Sequence, residues 1–392
     1  MKKYLFFFVV YICLPSLLSA AHPRFVLPSD NRDLSTEEIT LAYQVIEKID
    51  YLIQYRESLI RDCQIDLLFV SGDNFWKNGE GLVTPLSLLT SWIIENKSVE
   101  VLKNIRLFCP FFTGYMPVKK TKTGFWFLQN ETVEITENFQ EELEQNLICT
   151  LSDEGLDYYL NLIKRFNLPP QCIYQPPIFL GEFGIKSFSF GKTLVYNPDF
   201  ASYQERICLM QIMGVFQKLE ALVKQGKPIK VLEIGSGYGA LALFMKQVFP
   251  SVQYTLLDIP ESLLFSSIYV SLNCQDCTHA FAICDSVEEF QKADFRYVPN
   301  YAAHTLEEGF DLVINTLSMS EMTEYQIKTY VDLMKSFWLV KRGIFFEQNQ
   351  DNRHLGWTKA SIVIQKDLFL EHTLDPHTNG FRQGVPNIWR LP

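Results

Sequence analysis

The sequence predicts an α/β fold, a doubly wound parallel sheet behind a mainly helical N-terminal region. Three observations predict it. Val231-Leu-Glu-Ile234 is a short apolar run of the kind found in a strand covered on both faces, and it stops at a turn holding Gly235, Gly237 and Gly239. Ala240 to Val248 then reads as a helix ended by Pro250. Tyr254-Thr-Leu-Leu-Asp258 supplies a second strand whose terminal acid comes nineteen residues after Gly239. Strand, glycine turn, helix and strand in that order make one unit of a Rossmann-like sheet.

The other elements follow along the chain. Lys2 and Lys3 precede an apolar run from Tyr4 to about Leu18, with Ser19, Ala20 and Ala21 after it and His22-Pro23 breaking the pattern. This outlines a secretory signal, since the run is short of the ~20 residues a membrane span needs and Pro15 interrupts it. An uncleaved anchor is the alternative, and Ile12 before Cys13 argues against a lipoprotein site. The expected organisation is a signal peptide or anchor over 1–20, a mainly helical region over 21–175 and the α/β domain over 176–392.

Ser35-Thr-Glu-Glu38 is a capping box, and Ile39, Ala42, Ile46, Ile49, Ile53 and Ile60 recur at helical spacing to about Asp62. Helices are predicted over Leu86–Ile105 and Ser152–Phe166, with a hairpin near Asn130 inside Thr121–Thr136. Pro176-Pro177 and Gly181, Gly184 and Gly191 mark the entry to the second half. Ala201–Gln225 reads as one helix leading into the first strand. Phe295–Val298 is preferred to Phe281–Cys284 as the third strand, because it directly precedes a fourth at Phe310–Asn315. A helix over Thr323–Leu339 and a fifth strand over Gly343–Gln348 come next, with Ile362–Ile364 and Leu368–Leu370 as closing elements of the sheet.

Composition narrows the function. With 392 residues, 47% of them apolar, the chain can fill a real core. Its 35 basic and 45 acidic side chains leave a net charge of −10, which speaks against nucleic-acid binding, where phosphate neutralisation supplies most of the affinity. Setting Cys13 aside leaves cysteines at 63, 109, 149, 172, 208, 274, 277 and 284. The Cys274-Gln-Asp-Cys277 pair lacks the His or second pair that a four-ligand zinc site needs, so packing or a local disulfide is expected there and no metal.

The glycine turn suits two ligand classes. Gly235, Gly237 and Ala240 satisfy the pattern of a dinucleotide site, in which a pyrophosphate lies on the helix N-terminus. Glu233, two residues before the first glycine, instead suits a cation, and S-adenosylmethionine offers a sulfonium and an ammonium. In either case Ser236 lies within the turn, and Asp258, with Ile259 after it, is placed to accept hydrogen bonds from ribose hydroxyls.

An acid, alternate glycines and an acid ending the second strand together resemble the S-adenosylmethionine-dependent methyltransferases. Phe310-Asp-Leu-Val-Ile-Asn315 followed by Thr-Leu-Ser-Met-Ser-Glu-Met322 is similar to a subgroup known as sugar O-methyltransferases, over roughly Ile178 to Asn352. Asn315, Ser318, Glu321, Met322 and Asn349 carry that likeness. The resemblance implies cofactor contacts at Glu233, Gly235, Ser236, Gly237, Gly239, Asp258, Ile259, Asn315 and Ser318. It also places Tyr203, Gln204 and Glu205 near a lid, although a solvated helix start reads equally well. Methyl transfer to a hydroxyl of a small polar acceptor, with a sugar as one class, is the implied reaction. Glu321, His372 and His377 are candidate bases for a hydroxyl of high pKa.

The turn-rich segment Asp375–Arg390 either covers a polyhydroxylated acceptor or packs on the sheet. An exported protein meets little S-adenosylmethionine, so the chain is expected to be delivered into another cell's cytosol or to stay membrane-anchored. The rival readings are an NAD-dependent oxidoreductase and a non-catalytic secreted binding protein that keeps the fold.

Overall fold

The structure is a computed structural model that describes residues 25–26, 34–71, 85–97, 119–120, 124–127, 131–134, 153–174, 183–185, 194–196, 200–375 and 380–392. The N-terminal signal or anchor, Cys109, Cys149, Pro176, Pro177, Gly181, Gly191 and His377 lie outside these residues. Among the described residues, no helix is long and apolar enough to cross a membrane.

Among the described residues, six short strands precede the main sheet: β1 (Phe25–Val26), β2 (Lys119–Lys120), β3 (Gly124–Phe127), β4 (Glu131–Glu134), β5 (Phe183–Ile185) and β6 (Leu194–Tyr196). The antiparallel pairing of β3 with β4 is the predicted hairpin. The described helices beside them are α1 (Thr36–Arg61), α2 (Leu67–Ser71), α3 (Pro85–Asn96) and α4 (Asp153–Arg165). At the start of α1 the Ser35 hydroxyl accepts from the Glu38 amide, and the Glu38 carboxylate accepts from the Ser35 amide at 2.8 Å. Ala42, Val45, Ile46, Ile49 and Leu52 form its buried stripe, while Ile39, Ile53 and Ile60 are half-buried.

The helix predicted over Ala201–Gln225 is two, α5 (Phe200–Ile212) and α6 (Val215–Lys224). Gly214 between them takes φ 80°, a left-handed conformation that glycine reaches without steric cost, and the chain turns there.

The main unit then runs β7 (Lys230–Ile234), α7 (Ala240–Val248), β8 (Gln253–Asp258), α8 (Pro260–Asn273), β9 (His279–Phe281), α9 (Val287–Lys292), β10 (Phe295–Pro299) and β11 (Phe310–Thr316). It finishes with α10 (Glu324–Leu333), β12 (Leu339–Asn349), α11 (Ala360–Ile364), β13 (Phe369–Thr373) and β14 (Val385–Arg390). The preferred third strand, Phe295–Val298, lies within β10 beside β8, whereas Phe281–Cys284 is mostly a turn, with only Phe281 in the edge strand β9. The Thr323–Leu339 helix is α10, capped by Thr323 through Gln326 and continued by a π turn over Met334–Trp338. Ile362–Ile364 departs from expectation: it belongs to α11, because a short apolar run fits a buried helix face as well as a strand.

The eight strands lie in the order β13-β14-β12-β11-β7-β8-β10-β9. Strands β7–β12 run parallel to one another, and β14 pairs antiparallel with both β12 and β13. Alternate residues feed two cores, one on each face: Val231, Tyr254, Leu312 and Phe346 join α1, α5 and α8, whereas Leu232, Leu257, Val313 and Phe345 join α10 and α11. Burial on both faces explains why these strands read as continuous apolar runs. Helix α1 lies on α8, where the Arg56 guanidinium donates to both Glu261 carboxylate oxygens at 3.0 and 2.6 Å inside the protein.

Candidate functional site

From β7 the chain goes to β8 on one side and later returns to β11 on the other, so the strand order reverses at β7. In open α/β sheets the crevice at such a point, beyond the carboxyl ends of the strands, is where ligands bind. The register brings these ends level, with Asn315 beside Ile234, Ile234 beside Leu257 and Glu347 beside Asn315. Gly235, Gly237 and Gly239 leave the strand end with φ of 76°, 55° and 84°, all left-handed. Two of these glycines also answer to packing. A Cβ on Gly235 would stand 2.1 Å from Ser318 Oγ, and one on Gly239 would stand 2.7 Å from Val270 Cγ2.

Two acids flank the turn. Asp258 accepts from the Gly237 amide at 3.1 Å and the Ile259 amide at 2.8 Å, tying the turn to the N-terminus of α8. Burial pushes its carboxyl up to about 6, and these amides hold it back from rising further. Glu233 is buried and accepts from the Tyr254 hydroxyl at 2.9 Å. Desolvation pushes it up to about 8 against the pull of that bond and of the Arg206 charge. A buried acid that resists ionisation gains from a cation placed beside it. Ser236, between the glycines, has a buried hydroxyl with no hydrogen-bond partner.

A polar ladder crosses the strand ends. Asn315 donates to the Ile234 carbonyl at 2.8 Å and to Ser318 Oγ at 2.6 Å, and Ser318 donates to the same carbonyl at 3.2 Å. The Asn315 carbonyl oxygen accepts from Asn349 at 2.8 Å, and Asn349 in turn donates to Glu347, which Asn387 of β14 also reaches at 2.7 Å. Leu317 seats Ser318 by adopting φ 68°, a left-handed conformation unusual for a branched side chain.

Glu205 closes the far side. This fully buried carboxylate accepts from Gln348 at 2.7 Å, from the Arg382 and Gln383 amides at 2.9 and 3.0 Å, and from the Tyr158 hydroxyl. The solvated helix start expected for Tyr203, Gln204 and Glu205 is thus overturned, since all three are buried. The C-terminal segment packs on the sheet: Val385–Arg390 pairs with β12 as β14, and the Arg382 and Gln383 amides just before it donate to Glu205.

The structure brings Glu233, Gly235, Ser236, Gly237, Gly239, Asp258, Ile259, Asn315 and Ser318 to one end of the sheet. Glu321 follows at the end of the short turn after Ser318, half-buried on the same side. His372 is not brought there: it is exposed on β13, the outermost strand, with three strands between it and β7. His377 lies outside the described residues. Cys274 and Cys277 form a disulfide, and among the described residues no group of three or more His, Cys, Asp or Glu could hold a metal. Sequence reasoning missed Tyr254, Arg206 and Gln348, which meet the site only through tertiary packing; no local pattern marks them.

No protein-family model matches the chain, and no curated protein matches it. Among solved structures it is similar to an SAH-bound methyltransferase of Podospora anserina, at 13% identity and a TM-score of 0.31, over 67% of this chain and 100% of that one. A TehB-like SAM-dependent methyltransferase of Corynebacterium glutamicum is similar at 16% identity and a TM-score of 0.30, over 46% and 97%. A third is a SAM-dependent methyltransferase of Clostridium acetobutylicum, at 12% identity and a TM-score of 0.32, over 44% and 88%. Likeness at this level carries no assignment of activity by itself, and the α/β class rests on the sheet order.

Proposed function

We propose that the chain is an S-adenosylmethionine-dependent methyltransferase that modifies a hydroxyl of a small polar acceptor, a sugar being one class to test. The observation that carries this reading is the pair of acids around the glycine turn. Glu233, buried and held back from ionising, suits a cationic ligand and opposes the diphosphate of a dinucleotide. Asp258 lies one turn away on the adjoining strand, suited to ribose hydroxyls. The unpartnered Ser236 hydroxyl is a further polar group that such a ligand would satisfy.

Bound there, the cofactor would supply an activated methyl group. The chain's own work is then alignment and exclusion of water. Asn315 and Ser318 fix the β11 loop against the end of β7, and Glu205 holds the C-terminal loop closed on the acceptor side. Glu321, beyond Ser318, takes the acceptor's hydroxyl proton where the acceptor pKa is high.

Calorimetric titration of the full chain with S-adenosylmethionine, S-adenosylhomocysteine and NAD tests the reading. Micromolar binding of the adenosyl ligands that Asp258→Ala abolishes is expected, after which an acceptor screen that includes sugars becomes worthwhile. A folded protein that binds NAD instead, or none of the three, overturns it.

A further inference from the structure

Among the described residues, Cys274 and Cys277 are joined, and Cys63, Cys172, Cys208 and Cys284 are free thiols. Two of these thiols, Cys172 and Cys208, are buried in one apolar core, at 2% and 0% exposure. Cys172 ends the tight turn Pro170–Cys172 after α4, and Cys208 lies within α5. Gln204 pins the backbone around Cys172 to α5: its side-chain amide donates to the Cys172 carbonyl and accepts from the Tyr174 amide, both at 2.8 Å. The Tyr159 hydroxyl donates to the Tyr174 carbonyl at 2.9 Å, and the Tyr174 ring packs 5.4 Å from that of Tyr203. From this fixed backbone the Cys172 thiol reaches along α5 and donates to Gln211 Oε1 at 3.7 Å.

Gln204, Cys208 and Gln211 recur at the i, i+4, i+7 spacing that puts residues on one helix face. Residue 172 is held by the first and third members of that stripe and crosses the second, which is Cys208. Their closeness also has an electrostatic trace. Burial first, then Glu205 and then Cys172 push the Cys208 thiol up to about 12, and burial pushes Cys172 up to about 11. Only a thiolate attacks a disulfide, so thiols this far from ionising react slowly once the core has closed over them. They are open to an oxidant while the chain folds.

We infer that Cys172 and Cys208 are an oxidisable pair, which closes to a disulfide when the chain folds in the presence of a disulfide oxidant and stays open when it folds in a reducing solution. With oxidised glutathione, one cysteine thiolate displaces a glutathione thiolate and forms a mixed disulfide. The second cysteine thiolate then displaces the remaining glutathione from it. The protein gives up two protons and two electrons, and the oxidant leaves as two glutathione thiols. The bond staples the segment after α4 to the helix that carries Glu205, and burial shields it from reductant. Its presence in chain isolated from cells records whether that chain folded in an oxidising space.

Refolding the full chain from denaturant in a buffer of reduced and oxidised glutathione, followed by alkylation and peptide mass mapping, tests this. A peptide pair linked through Cys172 and Cys208 is expected as the predominant species, and none after refolding in dithiothreitol. The folded dithiol, placed in the same glutathione buffer, is expected to close at least about a hundredfold more slowly than the refolding chain, as its scarce thiolate implies. Cys208→Ser should leave Cys172 open to alkylation after oxidative refolding. Wild-type protein whose Cys172 and Cys208 both stay alkylatable, or join other cysteines, overturns the inference, and so does a folded dithiol that closes as fast as the refolding chain. Should Cys208→Ser not fold, the wild-type map alone decides.

Discussion

The Tyr254 hydroxyl donates to the Glu233 carboxyl over 2.9 Å, reaching along one sheet face from the start of β8 toward the end of β7. The bond stabilises the ionised carboxylate that a cationic ligand requires. Tyr254→Phe is expected to lower affinity for S-adenosylmethionine about tenfold near neutral pH while the protein stays folded. Titration of the variant checks it; unchanged affinity would mean that Glu233 meets no cation.

Proton linkage adds a dependence on pH. Glu233 is raised from 4.5 to about 8 and Asp258 from 3.8 to about 6, so the ligand-free folded state keeps protons that the unfolded chain gives up. Their contribution is fully present below the unfolded values and is lost as pH rises through the folded ones, so stability falls from about pH 4 to about pH 8. Denaturant midpoints across that range should fall, and Glu233→Gln should flatten the upper part of the slope. Cofactor affinity should run the opposite way, rising as Glu233 ionises.

The Arg56–Glu261 pair joins α1 to α8 in the interior. Arg56→Met leaves the Glu261 carboxylate buried without its partner and is expected to cost about 3–5 kcal/mol. Pairing it with Glu261→Leu should restore much of the loss. Chemical denaturation of the two variants measures both figures; equal costs would show that packing, not the orphaned charge, dominates.

Glycines at similar φ separate strain from crowding. Gly226 has φ 70° and open space where a Cβ would stand, whereas Gly239 has φ 84° and Val270 Cγ2 at 2.7 Å. Gly226→Ala should cost about 1 kcal/mol and Gly239→Ala about 2–3 kcal/mol. Thermal denaturation of both variants checks the difference.

The unit from β7 to β8 was legible to the residue at α7 and within one residue at each strand, because its signals are local: an apolar run, glycines and a closing proline. Gly214 is not marked as a break inside Ala201–Gln225, since one glycine does not disturb a helical apolar pattern although it breaks the helix. Strand ends gather Glu233, Asp258 and Asn315 automatically once the sheet order is right. Arg206 and Tyr254 gave no such signal: an arginine in a helix and a tyrosine in a strand acquire meaning only when packing removes their water. His372 shows the converse, a reactive side chain left exposed on an edge strand.

The contacts at Glu205 also bear on the order of folding. Its partners lie 47, 143, 177 and 178 residues away along the chain. Closing such long loops is entropically costly, so these bonds should form only after local helices and strand pairs are in place. Pulse-labelled hydrogen exchange during refolding should then protect the β7 and β8 amides before those of Arg382 and Gln383. Strands β7–β12 would then stand assembled while the site is still open, and the segment that closes over Glu205 would dock together with β14, which also brings β13 into the sheet.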